Sequence, residues 1–286
     1  MTAALDTREI EAAFLAACHA ELQALKPGNV HIHEPGHGME VRHFETAAAA
    51  AAPHIANAEL SVGQRILRAT EASFAATGVN TNLGIVLLCA PLAKAAAETD
   101  VGTGLRRRLA VILSLLDADD AGAAFAAIRL ANPAGLGTVD KGDVRDANPQ
   151  LTLIEAMHLA AERDRIARAY VTAYEDVFDF ALPALSDTRH VAARDDLAVT
   201  TLHMALLAEF PDSHIARKHG PDAAQTVQQA AQDLRHAWDP AASPKSFAKL
   251  KEFDLQLKAK GLNPGTTADF VVATLFADRI STRKQS

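Results

Sequence analysis

Ile85-Val-Leu-Leu-Cys-Ala-Pro-Leu-Ala-Lys-Ala-Ala-Ala97 is the most apolar run of the chain. A bilayer span needs roughly 20 apolar residues in succession. This run is shorter and is interrupted by Pro91 and Lys94, so it is expected as a core helix of a soluble protein. Outward from it, one segment after another repeats apolar positions at i, i+3, i+4 and i+7, and no stretch alternates with the period of a strand. The spacing predicts helices over 5–25, 44–56, 62–76, 83–96, 106–116 and 118–130. In the second half it predicts them over 151–162, 164–182, 195–209, 223–237, 246–260 and 267–280. Ile10, Phe14, Ala17 and Cys18 form the apolar stripe of the first, which Pro27-Gly28 ends. Pro53, Gly63, Gly78, Gly102 and Gly104 fall at the joints as breakers. With aromatic residues at only 5% and alanine abundant, the helices are expected to pack closely through small side chains.

The fold class is therefore all-α, read as one compact domain of about a dozen helices over residues 1–286. The polar loop Asn132–Gln150, with Pro133, Gly135, Gly137, Gly142 and Pro149, resembles a linker. A dozen helices nevertheless bury one another better in one core than in two. A hydrophobic content of 49% excludes disorder as the main state. The lack of a fixed repeat period argues against a solenoid. The net charge of −7 makes double-stranded nucleic acid an unsuitable partner. Asp6 and Glu9 stand where a signal peptide would be basic and then apolar, and Cys18 and Cys89 sit within apolar helical patterns, as buried reduced thiols do. These features predict a cytoplasmic protein with no membrane or nucleic-acid partner, and they leave a homo-oligomer open.

Four segments join apolar helices yet concentrate Gly, Pro, Asn, His, Asp and basic residues, the composition of functional loops on a rigid frame. The first is Lys26-Pro-Gly-Asn-Val30, followed by His31, His33, Gly36, His37, Gly38 and Met39. Its lysine suits a phosphate and its imidazoles suit proton transfer, while a helix cap with solvated histidines explains the same letters. His31 and His33 are two apart, so they lack the four-residue spacing of a helical zinc pair. The second is Gly78-Val-Asn80-Thr81-Asn82-Leu-Gly84, where Thr81 or Asn82 can cap the following helix and its N-terminus can take an anion. The third, Pro211-Asp212-Ser-His214-Ile-Ala-Arg217-Lys218-His-Gly220, sets a carboxylate and an imidazole beside two cations suited to phosphate oxygens. The fourth, Asn263-Pro-Gly-Thr-Thr-Ala-Asp269, is a turn feeding a capped helix. None is a phosphate loop with its lysine or a dinucleotide glycine pattern. Asp117, Asp119 and Asp120 read as helix caps more readily than as a metal site, Arg106-Arg107-Arg108 as a solvated helix start, and Glu71 as an unassigned carboxylate.

Taken in order, Lys-Pro-Gly-Asn-Val at 26–30, Gly36-His-Gly-Met39 with Phe44 downstream, Val-Asn-Thr-Asn-Leu-Gly at 79–84, the 211–220 segment and Leu-Asn-Pro-Gly-Thr-Thr-Ala-Asp at 262–269 resemble the triphosphoribosyl-dephospho-CoA synthase family over nearly the whole chain. No single motif is decisive; five in order are far more specific. The resemblance implies an all-helical pentosyltransferase that moves the triphosphoribosyl part of ATP to the 2'-hydroxyl of 3'-dephospho-CoA and releases adenine, toward the prosthetic group of an acyl carrier. Two departures matter, and a third, at Thr266-Thr267, is milder. The family usually has Asn-Thr-His where this chain has Asn80-Thr81-Asn82, Gly-x-His-x-Asp-Met where it has Gly36-His37-Gly38-Met39, and Gly-Ser where it has Thr266-Thr267. They leave room for a related transferase with another nucleotide-like acceptor, as in tetrahydromethanopterin or methanofuran synthesis, and for a non-catalytic nucleotide-binding helical protein.

Breaking a ribosyl C1'–N bond builds positive charge at C1', which calls for a base for the attacking hydroxyl, help for the leaving base and neutralisation of the triphosphate. On the resemblance, Asp212 and Asp269 are expected to hold Mg2+ on the triphosphate, and Lys26, Arg217 and Lys218 to neutralise phosphates. Asn29, Asn80, Thr81 and Asn82 are expected to bind and orient the substrates, with His37 or His214 as the general base.

Overall fold

A computed structural model describes residues 4–36, 38–98, 104–133, 143–145, 150–235, 237–241 and 244–281. Among them helices form almost wherever apolar positions recur at helical spacing. They are α1 (Thr7–Gln23), α2 (Val41–Ala56), α3 (Val62–Thr77), α4 (Leu83–Ala97), α5 (Leu105–Ser114), α6 (Ala118–Ala131) and α7 (Leu153–Ala160). After them come α8 (Arg165–Val171), α9 (Leu182–Arg189), α10 (Asp195–Glu209), α11 (Ser213–His219), α12 (Pro221–Arg235), α13 (Pro244–Ala259) and α14 (Gly265–Ser281). Among the described residues the only extended pairings are the isolated bridges His31–Glu34 and Gly36–Met39, so the all-α class holds. No described helix is long and apolar enough to cross a membrane.

The chain gathers into two compact units, each built from distant parts of the sequence: Met1–Cys18, His43–Glu175 and Leu275–Ser286 in the first, His19–Arg42 and Asp176–Thr274 in the second. The polar stretch at 132–150 marks none of the four boundaries, and its residues 134–142 and 146–149 lie outside those described.

In the first unit α4 is buried almost all round. Pro91 has no N–H for the Leu87 carbonyl one turn earlier. The buried Tyr170 hydroxyl donates to that carbonyl instead, at 2.7 Å. Tyr174 donates to the adjacent Leu88 carbonyl at 3.0 Å. One continuous helix over 164–182 is therefore not what forms. Helix α8 stops at Val171, and Ala173 and Tyr174 turn into the left-handed region, with φ 48° and 60°. A π-helical stretch, Asp176–Ala181, then leads into α9. Gly63 is a contact rather than a joint, since a Cβ there would lie 2.5 Å from Asp120 Cα. The Asp120 side chain accepts from the Gly63 amide and the Ser61 hydroxyl, both at 2.7 Å. Asp117 and Asp120 complete the capping box of α6. Capping is thus the observed role of Asp117 and Asp120.

The second unit packs Met204 and Leu207 of α10, Ile215 of α11, Val227 and Ala231 of α12, and Leu250, Phe253 and Leu257 of α13 into one apolar cluster with Trp238. Residues 211–220, expected as a loop, contain the short helix α11. Asp212 caps it, Ile215 anchors it in the core, and Gly220, at φ 92°, ends it.

Candidate functional site

In the second unit three of the singled-out segments meet: 26–34, 211–220 and 262–269. The first begins at the end of α1. Lys26 is fully buried, with Nζ 3.0 Å from Glu21 Oε1 and donating to the Val30 carbonyl at 2.6 Å. It is a buried cation paired with Glu21 of α1 and the Val30 carbonyl, not a solvated phosphate contact. Burial opposes both charges, pushing the Glu21 carboxyl up and the Lys26 ammonium down, and each partner's charge resists the shift of the other. Gly28 adopts φ 83° where a Cβ would meet Pro264 Cδ at 2.7 Å and the Leu262 carbonyl at 2.9 Å. Only glycine satisfies both constraints. Its neighbour Asn29, also buried, donates through Nδ2 to Asn263 Oδ1 at 2.8 Å and so binds the first segment to the last.

The carboxylate of Asp212 joins the third segment to the last. Oδ1 accepts from the Ile215 amide at 3.0 Å, and Oδ2 accepts from both the amide and the hydroxyl of Thr267 at 2.8 Å each. Burial pushes its pKa up, against these hydrogen bonds. The residue is only 2% exposed. With Oδ2 saturated by two donors as well, Asp212 does not fit as a magnesium ligand; it caps α11 and fastens the start of α14. Asp269 is half-buried in the first turn of α14. Among the described residues no group of three or more His, Cys, Asp and Glu side chains is arranged to hold a metal ion. The half-buried His214 ring lies over Gly265, where a Cβ would approach Nδ1 to 2.8 Å, and His219 contacts the Gly261 carbonyl at 3.1 Å. Arg217 is half-buried and Lys218 is exposed at the end of α11. His37 lies outside the described residues.

Asn80, Thr81 and Asn82 belong to the first unit. Asn80 Oδ1 accepts from the Leu83 amide at 3.3 Å and so caps α4. Asn82, at the N-cap position, turns inward instead and donates to Ser73 Oγ at 3.0 Å, and Ser73 in turn donates to the Ala47 carbonyl. Thr81 Oγ1 is buried without a hydrogen-bond partner.

Two participants come from α13, which contains none of the motifs. Asp254 Oδ1 accepts from the Gly28 amide at 2.8 Å, and Oδ2 lies 3.2 Å from His31 Nε2 and 3.0 Å from Lys258 Nζ. Burial disfavours this carboxylate's charge, but the donors from His31, Lys258 and Gly28 outweigh it and hold the pKa below its ordinary range. Burial also pushes the His31 imidazole down. In sequence the pair is an unremarked Asp and Lys four apart on a helix rich in lysine, the pattern of an ordinary solvated face. His203 of α10 was equally invisible. It is fully buried beside Lys26, and neither ring nitrogen makes a hydrogen bond of good geometry, though the Pro27 carbonyl is near enough to bias the ring.

Residues 7–286 match the model of the CitG family, ATP:dephospho-CoA triphosphoribosyl transferase. A protein of Pseudomonas savastanoi pv. phaseolicola named as a probable 2-(5''-triphosphoribosyl)-3'-dephosphocoenzyme-A synthase is 27% identical over 158 residues, covering 48% of this chain and 53% of that one. The 2-(5''-triphosphoribosyl)-3'-dephosphocoenzyme-A synthase of Klebsiella pneumoniae is 32% identical over 101 residues, 35% of this chain and 36% of its own. The matched stretches thus span about half of the first relative and about a third of the second. A crystal structure of a candidate triphosphoribosyl-dephospho-CoA synthase from Archaeoglobus fulgidus superposes with a TM-score of 0.62 at 25% identity, over 81% of this chain and 95% of that one.

Proposed function

We propose, for a chain that belongs to the ATP:dephospho-CoA triphosphoribosyl transferase family, that it transfers the triphosphoribosyl group of ATP to the 2'-hydroxyl of 3'-dephospho-CoA and releases adenine. The observation that carries the reading is the convergence of segments 26–34, 211–220 and 262–269 through Asn29–Asn263 and Asp212–Thr267. Three stretches that resemble the family's motifs meet in one place, which random capping of helices does not produce.

In the reaction the ribosyl C1'–N bond of ATP breaks and a bond from C1' to the acceptor oxygen forms; the hydroxyl gives its proton to a base, one proton is returned to the leaving ring nitrogen, and neutral adenine departs. His214 is the proposed base, since an imidazole titrates near neutral pH and this one is half-buried over the start of α14. Arg217 and Lys218, in the last turn of α11, are the proposed phosphate contacts. Lys26 acts one step back, holding the 26–30 turn through Val30 and Glu21. Magnesium belongs to the proposal as the counter-ion of the triphosphate, because Mg2+ is commonly held by one or two carboxylates plus substrate phosphates. Asp269 is the proposed carboxylate, and no step is routed through the metal.

Asn82 favours a second reading. At the position where the family usually has histidine, its amide is committed to Ser73, so nothing at that position supplies the missing imidazole. A related transferase with another nucleotide-like acceptor, such as one in one-carbon cofactor synthesis, follows from that loss. The two are separated by incubating the protein with ATP, magnesium and 3'-dephospho-CoA and weighing the products. A triphosphoribosyl adduct of dephospho-CoA is expected; adenine release without that adduct assigns the activity to another acceptor.

A further inference from the structure

The segment 26–34 contains no helix; inside it are the bridge between His31 and Glu34, a turn closed by the Asn29 amide on the Lys26 carbonyl at 2.9 Å, and the bond from Lys26 Nζ to the Val30 carbonyl. Those bonds shape its two turns, and the contacts from α13 set where they stand relative to each other. Resting on the transferase reading above, we propose that Asp254 is a positioning residue for this site, presenting segment 26–34 to the nucleotide through Gly28, His31 and Lys258.

One carboxylate reaches the segment at three points. Oδ1 takes the Gly28 amide at 2.8 Å, and Gly28 itself has no space for a side chain, with Leu257 Cδ1 2.9 Å from where a Cβ would stand. Oδ2 takes His31 Nε2 at 3.2 Å. Through Lys258, whose Nζ lies 3.0 Å from Oδ2 and donates to the Glu34 carbonyl at 3.2 Å, it also holds the far end. The tautomer of His31 follows from this network. The His33 amide donates to Nδ1 at 3.3 Å. With Nδ1 accepting, the tautomer that fits has its proton on Nε2, directed at Asp254 Oδ2, although Lys258 Nζ also stands 3.3 Å from that nitrogen. Asp254 and His31 are 2% and 1% exposed, which removes competing water from the arrangement. Between Gly28 and His31 lies Asn29, the residue that links the segment to Asn263. Asp254 therefore acts on the substrate only through the segment it holds.

Contacts of that kind serve the bound nucleotide and the transition state alike, so their loss raises KM rather than lowering kcat. Asp254→Asn keeps an acceptor for the Gly28 amide but turns an NH2 group toward His31. The ring must then accept at Nε2 and move its proton to Nδ1, against the His33 amide. The full chain with 15N-labelled histidine, assigned with His31→Asn, is expected to show an Nε2–H ring in the wild type and an Nδ1–H ring in Asp254→Asn. In the adenine-release assay Asp254→Asn is expected to raise KM for ATP about tenfold or more with kcat within about threefold, the signature of lost uniform binding. Lys258→Met, which spares the contacts of Asp254 to Gly28 and His31 but removes those of Lys258 to Glu34 and His31, is expected to raise KM about threefold and decides the matter if Asp254→Asn fails to fold. An Nδ1–H ring in the wild type, an unchanged KM in both variants, or a fall in kcat at constant KM each overturns the proposal. A wild type that binds ATP but releases no adenine defeats the transferase reading instead, and ATP affinity in the variants then decides this one.

Discussion

Burial, with the Lys26 charge next, pushes the His203 pKa down to about 3 against a weaker pull from the Pro27 carbonyl, so the folded protein holds this ring neutral well below neutral pH. In the unfolded chain the ordinary value of about 6.5 applies. Between these two values the unfolded state binds the extra proton, so stability rises with pH and is lost as pH falls below about 6.5, by about 2 kcal/mol at pH 5 for this residue. His203→Leu removes both the two unpartnered nitrogens and this linkage. Urea unfolding should find the variant at least as stable as wild type at pH 7, with its advantage larger by about 2 kcal/mol at pH 5; an advantage that does not grow on acidification contradicts the assignment. Lys26 and Asp212 show why such roles were illegible in sequence. Both residue types suit phosphate and magnesium chemistry, and only burial and hydrogen-bond partners distinguish a ligand-facing charge from one committed to holding the chain. Asp254 and Lys258 are the converse case, hidden in a lysine-rich helix whose pattern promises nothing but solvent.

At the scale of elements, helical periodicity located nearly every helix, since the apolar stripe is both the signal and the cause. It failed where tertiary contacts decide. The break at Ala173–Tyr174 occurs inside a sequence that favours a helix, and it sets Tyr174 on the carbonyl next to the one that Tyr170 serves. Because Pro91 creates the need for the Tyr170 hydroxyl, the two are coupled. Tyr170→Phe should cost about 1–3 kcal/mol, and distinctly less in a Pro91→Ala background whose restored N–H can reach Leu87. A double-mutant cycle in urea measures this, and additivity would contradict it. Gly63 makes a sterner demand. Gly63→Ala would drive a methyl into the Asp120 backbone, 2.5 Å from Cα and 2.6 Å from O. Overpacking of that kind should destabilise the first unit by about 2 kcal/mol or more. A thermal midpoint unchanged from wild type would show that α3 and α6 separate freely. The short helix α11 was missed for another reason. Seven residues are too few to display a stripe, and Pro211-Asp212 reads equally as a turn or as a cap.

At the scale of the whole molecule, the order of the motifs predicted the family, and residues 7–286 bear that out. Apolar periodicity gave the class of fold but no chemistry, since an alanine-rich, mildly acidic helical chain is compatible with many functions. The division into two units was not legible, because each is assembled from stretches far apart in sequence and the one polar stretch that resembles a linker, 132–150, is not a boundary. The central claim is that three distant segments, fastened partly by Asp212, form the site of triphosphoribosyl transfer. It is tested most directly by initial rates of adenine release from ATP, with magnesium and 3'-dephospho-CoA, for wild type and Asp212→Asn. The substitution exchanges an acceptor for a donor opposite Thr267, weakening charge-assisted bonds worth about 1.5–3 kcal/mol. Release by the wild type, slowed by about tenfold or more in Asp212→Asn while the far-UV circular dichroism stays native, is the predicted result. Equal rates, or no adenine release by the wild type, would contradict it.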